Sequence, residues 1–429
     1  MDRRVRFAGR LVTGTVAAAL VATACTATEE EPQEAPGPRI SITPAPGRAE
    51  VAPNTPVRVL VEDGVLTDVT VEQIGREQWA ETGAGAAADA EGPERAPVTG
   101  TLAEDGSAWV SDWNLAPGGR VAVYATAEGA DGERTEVVST FGTHAVAADA
   151  ALADPFVLPQ DGQTVGVGMP VVVTFEEPVD NREQVENSMH VTSEKATEGA
   201  WNWPNETTAV FRPEKYWEPH QKVTVDLRLT GVEASEGVFG TADRRIGFEV
   251  GRELIATMHV PEHRMHVAVD GERIRSIPVS NGKGERHFNT TTSGVHVLME
   301  RYSRLVMDSA TVGIPAGSPG YYRVEADWAV RTSNSGEFTH AAPWNGSIGH
   351  ANRSNGCTNM SVSDARWFHD NTLMGDVLET TGTARELEWD NGWGFYQRSW
   401  EEWLENSETG APQATDSASP PGTVHGDDL

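Results

Sequence analysis

Residues 337–361 read EFTHAAPWNGSIGHANRSNGCTNMS, with His340 seventeen residues before Cys357. Nucleophilic catalysis by a cysteine needs a thiolate, a base that takes the thiol proton, and amide donors where an oxyanion forms. His340 can be the base, and Gly356 lets the backbone come close to a substrate. A helix N-terminus after Cys357 would favour the thiolate. A purely structural role for this Cys-His pair is the alternative that the residues alone leave open.

The other cysteine, Cys25, directly follows an N-terminal stretch with the layout of a signal peptide. Four arginines precede an apolar run over 11–24 that is too short for a membrane-spanning helix. The run ends in VATAC, residues 21–25, which resembles the bacterial lipobox, where cleavage exposes a cysteine that receives lipid. We therefore expect a lipid anchor on Cys25 that holds the protein at the outer face of the cell membrane. An ordinary secretion signal with an incidental cysteine is the alternative.

The amino-acid composition argues against a nucleic-acid-binding protein and favours one built mainly from strands and turns. The chain has 429 residues and a formal net charge of −31, which argues against a nucleic-acid partner because phosphate binding needs a basic surface. The length allows about three domains. The 43 glycines and 25 prolines favour strands and turns over helical bundles. We expect the negative charge on solvated faces.

Two strand-rich units precede the His-Cys segment. Strand-length alternation, as in 57–61 and 120–124, predicts a β-sandwich at the start of the chain, with a loop over 83–92. A second sandwich begins near Pro155. Its aromatic residues predict core packing, with a carbohydrate platform as the alternative; they are Trp201, Trp203, Tyr216 and Trp217. We expect both units to act as spacers that also brace the unit with the His-Cys segment.

A third unit contains the His-Cys segment. Residues 264–269 alternate and end at Asp270-Gly271, which predicts a hairpin. One helix is expected from Ser363 to about Thr372, capped by Ser361 or Ser363 and with Asp364 in its first turn.

The segment 337–361 resembles the signature of the bacterial cell-wall L,D-transpeptidases. That signature is a histidine, a gap, then Ser/Thr-His-Gly-Cys, one further residue, and Asn or Arg. The lipobox and a Trp-rich tail match the actinobacterial branch of the family. Four more segments resemble the substrate flap and the elements around the nucleophile: VMDSATVGIP (306–315), SNSGEF (333–338), ARWF (365–368) and GDVLE (375–379).

The resemblance implies a mainly β protein. Two immunoglobulin-like β-sandwich domains would be followed by a β-rich L,D-transpeptidase catalytic domain with one or two helices and a Trp-rich C-terminal extension. The expected boundaries are a signal peptide over 1–24, a tether over 25–38, sandwiches over 39–148 and 149–252, the catalytic domain over 253–381, the extension over 382–409 and a disordered tail over 410–429.

The resemblance also implies a two-step acyl transfer without metal or organic cofactor. Cys357 would attack a donor tetrapeptide stem of peptidoglycan, and the amine of an acceptor stem would resolve the thioester to a 3→3 cross-link. His340 would be the base, oriented by the Ala341 carbonyl, with Gly356 and Cys357 amides as oxyanion donors. Carbapenem-type β-lactams would acylate the thiol. The implied substrate-binding residues are Met307, Tyr322, Trp344, Ser354 and Asn359.

Two positions depart from the family pattern. Asn355 replaces the motif histidine and cannot carry a proton at neutral pH, which predicts a weakened or altered enzyme. His350 in the same loop could compensate, or be a solvated surface residue. Val312 stands where a flap tyrosine is frequent, which puts donor or antibiotic recognition in question. The alternatives to a transpeptidase are a silent wall-binding scaffold protein and an L,D-carboxypeptidase.

Overall fold

The computed structural model describes residues 37–74, 96–416 and 425. The predicted signal peptide, Cys25, most of the tether, the loop over 83–92 and the end of the tail lie outside these residues. In the part that is described, no helix is long and apolar enough to cross a membrane. Strands predominate throughout, which confirms the prediction of a mainly β protein.

The first unit is a sandwich of two four-stranded antiparallel sheets. Its strands are β1 (Arg39–Thr43), β2 (Arg58–Glu62), β3 (Val65–Ile74), β4 (Ala96–Pro97), β5 (Gly100–Leu102), β6 (Ala108–Ser111), β7 (Arg120–Glu128) and β8 (Arg134–Gly142). The sheet orders are β1-β2-β6-β5 and β4-β3-β7-β8. Side chains of β7 alternate between interior and surface, so Val121 and Val123 enter the core beside Trp109 and Phe141.

The second unit is also a sandwich, of sheets β10-β18-β15-β12 and β9-β11-β14-β13, with a small β16-β17 hairpin. Trp201, Trp203 and Trp217 are buried in its core, which confirms their predicted packing role. The elements are β9 (Phe156–Leu158), β10 (Thr164–Val165), β11 (Val171–Thr174), α1 (Arg182–Asn187), β12 (Met189–Ser193), β13 (Glu198–Asn205), β14 (Thr208–Pro213), β15 (Gln221–Leu227), β16 (Glu233–Ser235), β17 (Val238–Phe239) and β18 (Arg244–Val250).

The third unit has two sheets and one helix of ten residues. Its elements are β19 (Leu254–His259), β20 (Arg264–Val269), β21 (Glu272–Pro278), β22 (Gly294–Val297), β23 (Arg301–Asp308), β24 (Arg323–Arg331), β25 (Phe338–Ala341), β26 (Thr358–Met360), α2 (Val362–Asn371) and β27 (Val377–Thr381). One sheet runs β21-β20-β19-β27-β22 and the other β23-β24-β25-β26. The predicted hairpin is confirmed as β20 and β21. The helix begins one residue early because the Ser361 hydroxyl accepts the Asp364 N–H.

The C-terminal segment returns to the second unit. It forms α3 (Trp400–Leu404) and β28 (Gln413–Ala414), and β28 pairs antiparallel with β13. Residues 410–416 are therefore ordered, and the prediction of a disordered tail from residue 410 is wrong for this part. The pairing is invisible in the local sequence, since β13 lies about two hundred positions earlier.

Backbone hydrogen bonds and a partly buried ion pair join the second unit to the third. Backbone amides of Gly166 and Gly168 donate to the carbonyls of Met374 and Gly375, each at 2.8 Å. A Cβ on Gly166 would lie 2.2 Å from the Asp376 amide nitrogen, so the close approach requires glycine. Asp376 is fully buried and pairs with Arg252 at 2.8 Å. These contacts support the predicted bracing role of the second unit.

Candidate active site

A cavity of about 370 Å³ opens between the flap over 306–322 and the loop that precedes β26. The residues that line it are Lys283, Met307, Tyr322, Val324, His340, Trp344, Asn345, Arg353, Ser354, Asn355, Cys357 and Asn359. This set contains every catalytic and substrate-binding residue predicted from the sequence apart from Gly356, which is buried next to Cys357 in the same loop. Within the described residues, no three His, Cys, Asp or Glu side chains gather as metal ligands would.

Strand pairing brings the histidine and the cysteine into one cavity. β25 and β26 run parallel, and His340 lies opposite Asn359 in their register. Cys357 is the residue immediately before β26, so the thiol enters the cavity beside the histidine strand. Both side chains are buried, with His340 4% and Cys357 8% exposed. A separation of seventeen residues in sequence thus becomes adjacency in the fold.

Hydrogen bonds fix the tautomer of His340. Its Nδ1–H donates to the Ala341 carbonyl at 2.8 Å, as the resemblance implies. Nε2 is then the acceptor nitrogen, and it receives the side-chain amide of Asn359 at 2.9 Å. The side-chain amide of Asn345 in turn donates to Oδ1 of Asn359 at 3.0 Å. Burial lowers the pKa of His340, so the ring is neutral at pH 7 and able to accept a proton.

The thiol of Cys357 rests in its protonated form. It donates to the Gly336 carbonyl at 3.7 Å, and not to His340. Burial raises its pKa to about 12, with a further contribution from the charge of Glu337. The expected helix N-terminus is absent here, because β26 separates Cys357 from the start of α2 at Val362. The prediction that a helix dipole favours the thiolate is therefore wrong.

Ser354 organises the loop that carries the nucleophile. Its hydroxyl accepts the Gly356 N–H at 3.1 Å and donates to the Cys357 carbonyl at 2.5 Å. Gly356 has a φ of +130°, a conformation that side-chain-bearing residues rarely adopt. Thr291 anchors the same loop by donating to the Gly356 carbonyl at 2.6 Å. The Gly356 amide must leave Ser354 before it can donate to an oxyanion, so the resting loop is closed on itself.

A buried polar cluster around Glu337 lies close to Cys357. The Glu337 carboxylate accepts the Thr292 hydroxyl at 2.6 Å and pairs with Arg385 at 3.3 Å. His296 shares the Thr292 hydroxyl at 2.8 Å, and burial lowers its pKa to about 4, so it is neutral. Burial likewise raises the pKa of Glu337. The cluster places an acidic group close enough to Cys357 to disfavour the thiolate.

The flap supplies the apolar wall of the cavity. Met307 on β23 packs against Cys357 in one buried cluster, and Tyr322 lies at its edge. Burial raises the pKa of Tyr322 to about 12, so the hydroxyl stays protonated and can donate. Trp344 is 56% exposed, with its ring 6.2 Å from that of His340. Its exposure argues against a core packing role.

The residues that depart from the family signature lie in different places relative to the cavity. Asn355 is exposed and lines the cavity beside the nucleophile loop. His350 is exposed and is not among the residues that line the cavity, so the hypothesis that it compensates for Asn355 has no support. The side chain of Val312 lies outside the described part of the structure, and the question of the flap tyrosine stays a prediction.

Four residues that line the cavity escaped the sequence prediction, Lys283, Val324, Asn345 and Arg353, as did the largely buried pair of Glu337 and Arg385. The sequence could have indicated a buried ion pair at Glu337, because an acidic residue directly before the buried strand β25 needs a partner. That partner, Arg385, is 48 residues away in a segment with no pattern of its own. Lys283 belongs to a different hydrogen-bonded segment that only the fold brings to the cysteine loop.

The cavity thus brings a cysteine and a neutral histidine together on a β-rich unit that the second sandwich braces. The chain belongs to the L,D-transpeptidase family. Residues 254–380 match the L,D-transpeptidase catalytic domain, and residues 79–233 match the bacterial Ig domain, a match that spans parts of both sandwiches.

Two relatives support this assignment along most of the chain. L,D-transpeptidase 2 of Mycobacterium tuberculosis (strain CDC 1551 / Oshkosh) is 36% identical over 369 residues, which cover 85% of this chain and 84% of the relative. L,D-transpeptidase 5 of Mycobacterium tuberculosis (strain ATCC 25618 / H37Rv) is 31% identical, covering 90% of this chain and 81% of the relative. A solved structure of the L,D-transpeptidase LdtMt1 with imipenem is 36% identical, covers 54% of this chain and 99% of that chain, and has a TM-score of 0.47.

Proposed function

We propose that the protein is a peptidoglycan L,D-transpeptidase that forms 3→3 cross-links with Cys357 as nucleophile. The observation that carries the proposal is the position of a neutral, backbone-oriented His340 in the same cavity as a buried thiol. Membership of the L,D-transpeptidase family supports it. The substrate would be the stem peptides of the cell wall, so the protein would act outside the cytoplasm.

The first half-reaction would release the terminal D-alanine of a donor tetrapeptide. His340 Nε2 takes the thiol proton as the sulfur attacks the carbonyl carbon of the third residue. The Cys357 amide, and the Gly356 amide once Ser354 lets it go, can stabilise the oxyanion. The carbon–nitrogen bond then breaks, His340 returns its proton to the leaving amine, and a thioester remains on Cys357.

The second half-reaction would consume that thioester. The side-chain amine of an acceptor stem attacks the thioester carbonyl, and His340 takes a proton from the amine. The carbon–sulfur bond breaks, and the thiolate recovers a proton from His340. The new amide joins the third residues of two stems, and the enzyme returns to its starting state.

Rotation of the thiol is the step that the resting geometry requires. The thiol donates to Gly336, and Asn359 occupies the Nε2 atom that would receive the proton. Hydrogen bonds of free active sites commonly tighten or exchange only when substrate is bound. A donor carbonyl that draws the Gly356 amide away from Ser354 would loosen this closed arrangement.

Intact-protein mass after incubation with a carbapenem-type β-lactam tests the nucleophile. We expect the mass of one β-lactam to be added, and Cys357→Ala to abolish the addition. His340→Gln should slow acylation strongly, because no other histidine and no aspartate or glutamate lines the cavity. Absence of any adduct on the unaltered protein over hours would overturn the assignment of Cys357 and favour a silent scaffold protein.

Muropeptide products separate the transferase from a carboxypeptidase. Donor stems are incubated with the protein with and without acceptor stems, and dimers are scored against trimmed tripeptides. Dimers that contain a 3→3 bond are expected. Tripeptide alone, with acceptor present, would identify an L,D-carboxypeptidase instead.

We also propose that lipid on Cys25 anchors the protein to the outer face of the membrane, on the basis of the VATAC sequence at 21–25. Metabolic labelling with an alkyne fatty acid should mark the unaltered protein and leave Cys25→Ala unlabelled. Label on both proteins, or on neither, would contradict this anchor.

A further inference from the structure

The mouth of the cavity is basic on a strongly acidic protein. The chain carries a net charge of −31, yet the residues that line the cavity include two cations, Lys283 and Arg353, and no aspartate or glutamate. The remaining titratable groups there are the neutral His340, the protonated Tyr322 and the Cys357 thiol. The local charge is therefore opposite in sign to that of the molecule as a whole.

Hydrogen bonds between two segments fix the two cations on the same rim. The Lys283 N–H donates to the Ser354 carbonyl at 3.1 Å, and the Ser354 N–H donates to the Asn281 carbonyl at 3.0 Å. The Arg353 N–H donates to the Ser280 hydroxyl at 3.2 Å. The backbones that carry Lys283 and Arg353 thus pair with each other, immediately before the nucleophile loop.

Both cations are exposed and are not engaged by protein carboxylates. In the described part of the chain, neither Lys283 nor Arg353 forms an ion pair, although other arginines of the catalytic unit do so. Arg385, for example, is held by Glu337 at 3.3 Å. Two cations that face a substrate cavity without an internal partner can bind an anion from the substrate.

We propose that Arg353 and Lys283 form a carboxylate-binding subsite. It selects donor stems whose third residue carries a free side-chain carboxylate, over stems in which that group is a carboxamide. Arginine binds a carboxylate through two parallel N–H donors, while lysine adds a point charge. The inference rests on the proposed function, and it names the substrate class of the same site.

Binding to a form that cannot react tests the subsite. Cys357→Ala is titrated by ligand-observed NMR with two synthetic tetrapeptide stems that have diaminopimelate at the third position, one as the free acid and one as the carboxamide. The free acid should bind about tenfold more tightly, as one charge-assisted hydrogen bond allows. Adding either Arg353→Gln or Lys283→Gln to the Cys357→Ala variant should remove most of the preference for the free acid.

Arg264→Gln is the matched control, because Arg264 is an exposed arginine of the catalytic unit that lines neither this cavity nor the neighbouring one at Lys283. It should leave the preference intact. Raising the sodium chloride concentration should shrink the preference of the unaltered subsite, since exposed charges are screened within about 8 Å at physiological ionic strength. Equal affinity for the two stems, or a preference that survives both Gln changes, would overturn the subsite.

Turnover by the unaltered protein separates the inference from the proposed function. The ratio of kcat/KM for the free acid to that for the carboxamide should match the binding preference and fall in Arg353→Gln. Turnover of both stems at equal efficiency refutes the subsite and leaves the transpeptidase standing. Turnover of neither stem, with the binding preference present, refutes the transpeptidase and leaves the subsite standing.

Discussion

Cys357, the proposed nucleophile, is buried, and its raised pKa opposes formation of the thiolate that this role needs. Burial raises its pKa to about 12, so the thiol is protonated throughout the neutral range. The thiolate fraction then rises about tenfold per pH unit up to that pKa. In the proposed reaction, substrate binding would therefore have to trigger deprotonation through His340, since the free protein holds the sulfur as a thiol.

Alkylation by iodoacetamide tests this ionisation. The rate at Cys357, followed by intact mass, should climb steadily between pH 6 and pH 9 without a plateau, because the thiolate is a minor species across that range. The Cys357→Ala variant gives the background rate. A rate that levels off near pH 7 would show that the thiol has an ordinary or lowered pKa.

Glu337→Gln should make the thiol more acidic. The carboxylate of Glu337 contributes to the raised pKa of Cys357, and glutamine keeps the shape of the side chain without its charge. We expect alkylation at pH 8 to speed up about threefold to tenfold, the effect of up to one pKa unit.

Glu300→Gln is the matched control for this change. Glu300 is an exposed carboxylate of the same unit that pairs with Arg331 at 3.1 Å. Its removal should leave the alkylation rate unchanged. An unchanged rate in Glu337→Gln as well would mean that the buried cluster has no electrostatic effect on the thiol.

Asn355→His restores the signature residue at the mouth of the cavity. If asparagine merely weakens the site, β-lactam acylation should speed up by about tenfold, or ~1.4 kcal/mol in barrier. Stopped-flow fluorescence of acylation is the measurement. A slower or equal rate would show that the site, with Arg353 close by in the same loop, has adapted to asparagine.

At the scale of elements, the pairing of β25 with β26 positions His340 and Cys357, the proposed catalytic pair. Its register sets His340 opposite Asn359, and α2 packs behind both strands. Ser361 begins that helix by accepting the Asp364 N–H at 3.1 Å. The helix cap thus stabilises the element that supports the site.

Ser361→Ala should cost about 1 kcal/mol of unfolding free energy in the catalytic unit, because the helix loses an N-terminal hydrogen bond. Urea unfolding followed by tryptophan fluorescence measures this loss. Ser363→Ala removes a neighbouring hydroxyl that receives no helix N–H, and should cost far less. Equal losses in both variants would argue against the cap.

Elements with a local signal were predictable from the sequence, and elements with distant partners were not. The alternation of residues 264–269 and the Ser361 cap predicted the β20-β21 hairpin and α2 within a residue or two. The strand between Cys357 and α2 was missed, because three residues carry too little periodicity. The Glu337–Arg385 pair and β28 were missed because their partners are far apart in sequence.

On the scale of the whole molecule, the C-terminal segment over 398–416 packs against the second sandwich and so joins the catalytic unit to it. We call this segment the C-terminal clasp. Trp403 is fully buried and donates its indole N–H to the Ala200 carbonyl at 3.0 Å. Arg212, also buried, lies 4.7 Å from the Trp403 ring and donates to the Arg398 carbonyl. The buried Glu186 carboxylate accepts the hydroxyls of Ser407 and Thr409.

Trp403→Ala should release this clasp. Loss of a fully buried tryptophan costs about 3–5 kcal/mol, and the Asn202 amide also donates to the Trp403 backbone at 2.7 Å. Hydrogen exchange should rise over residues 399–416 and along β13, with little change in the first sandwich. Trp403→Phe, which keeps most of the apolar bulk, should show a smaller effect. Exchange that rises only at the substituted position would contradict a cooperative clasp.

The strand β28 gives the catalytic unit the topology of an insertion. The sheet β28-β13-β14-β11-β9 contains residues from before and after the catalytic unit, so the polypeptide enters that unit from the second sandwich and comes back to it. Two chain crossings, unlike a single linker, prevent free swivelling. A mechanical force applied on the N-terminal side would reach the catalytic unit through the second sandwich. Removal of the last residues, which include β28, would leave β13 as an unpaired edge strand that can pair with another chain.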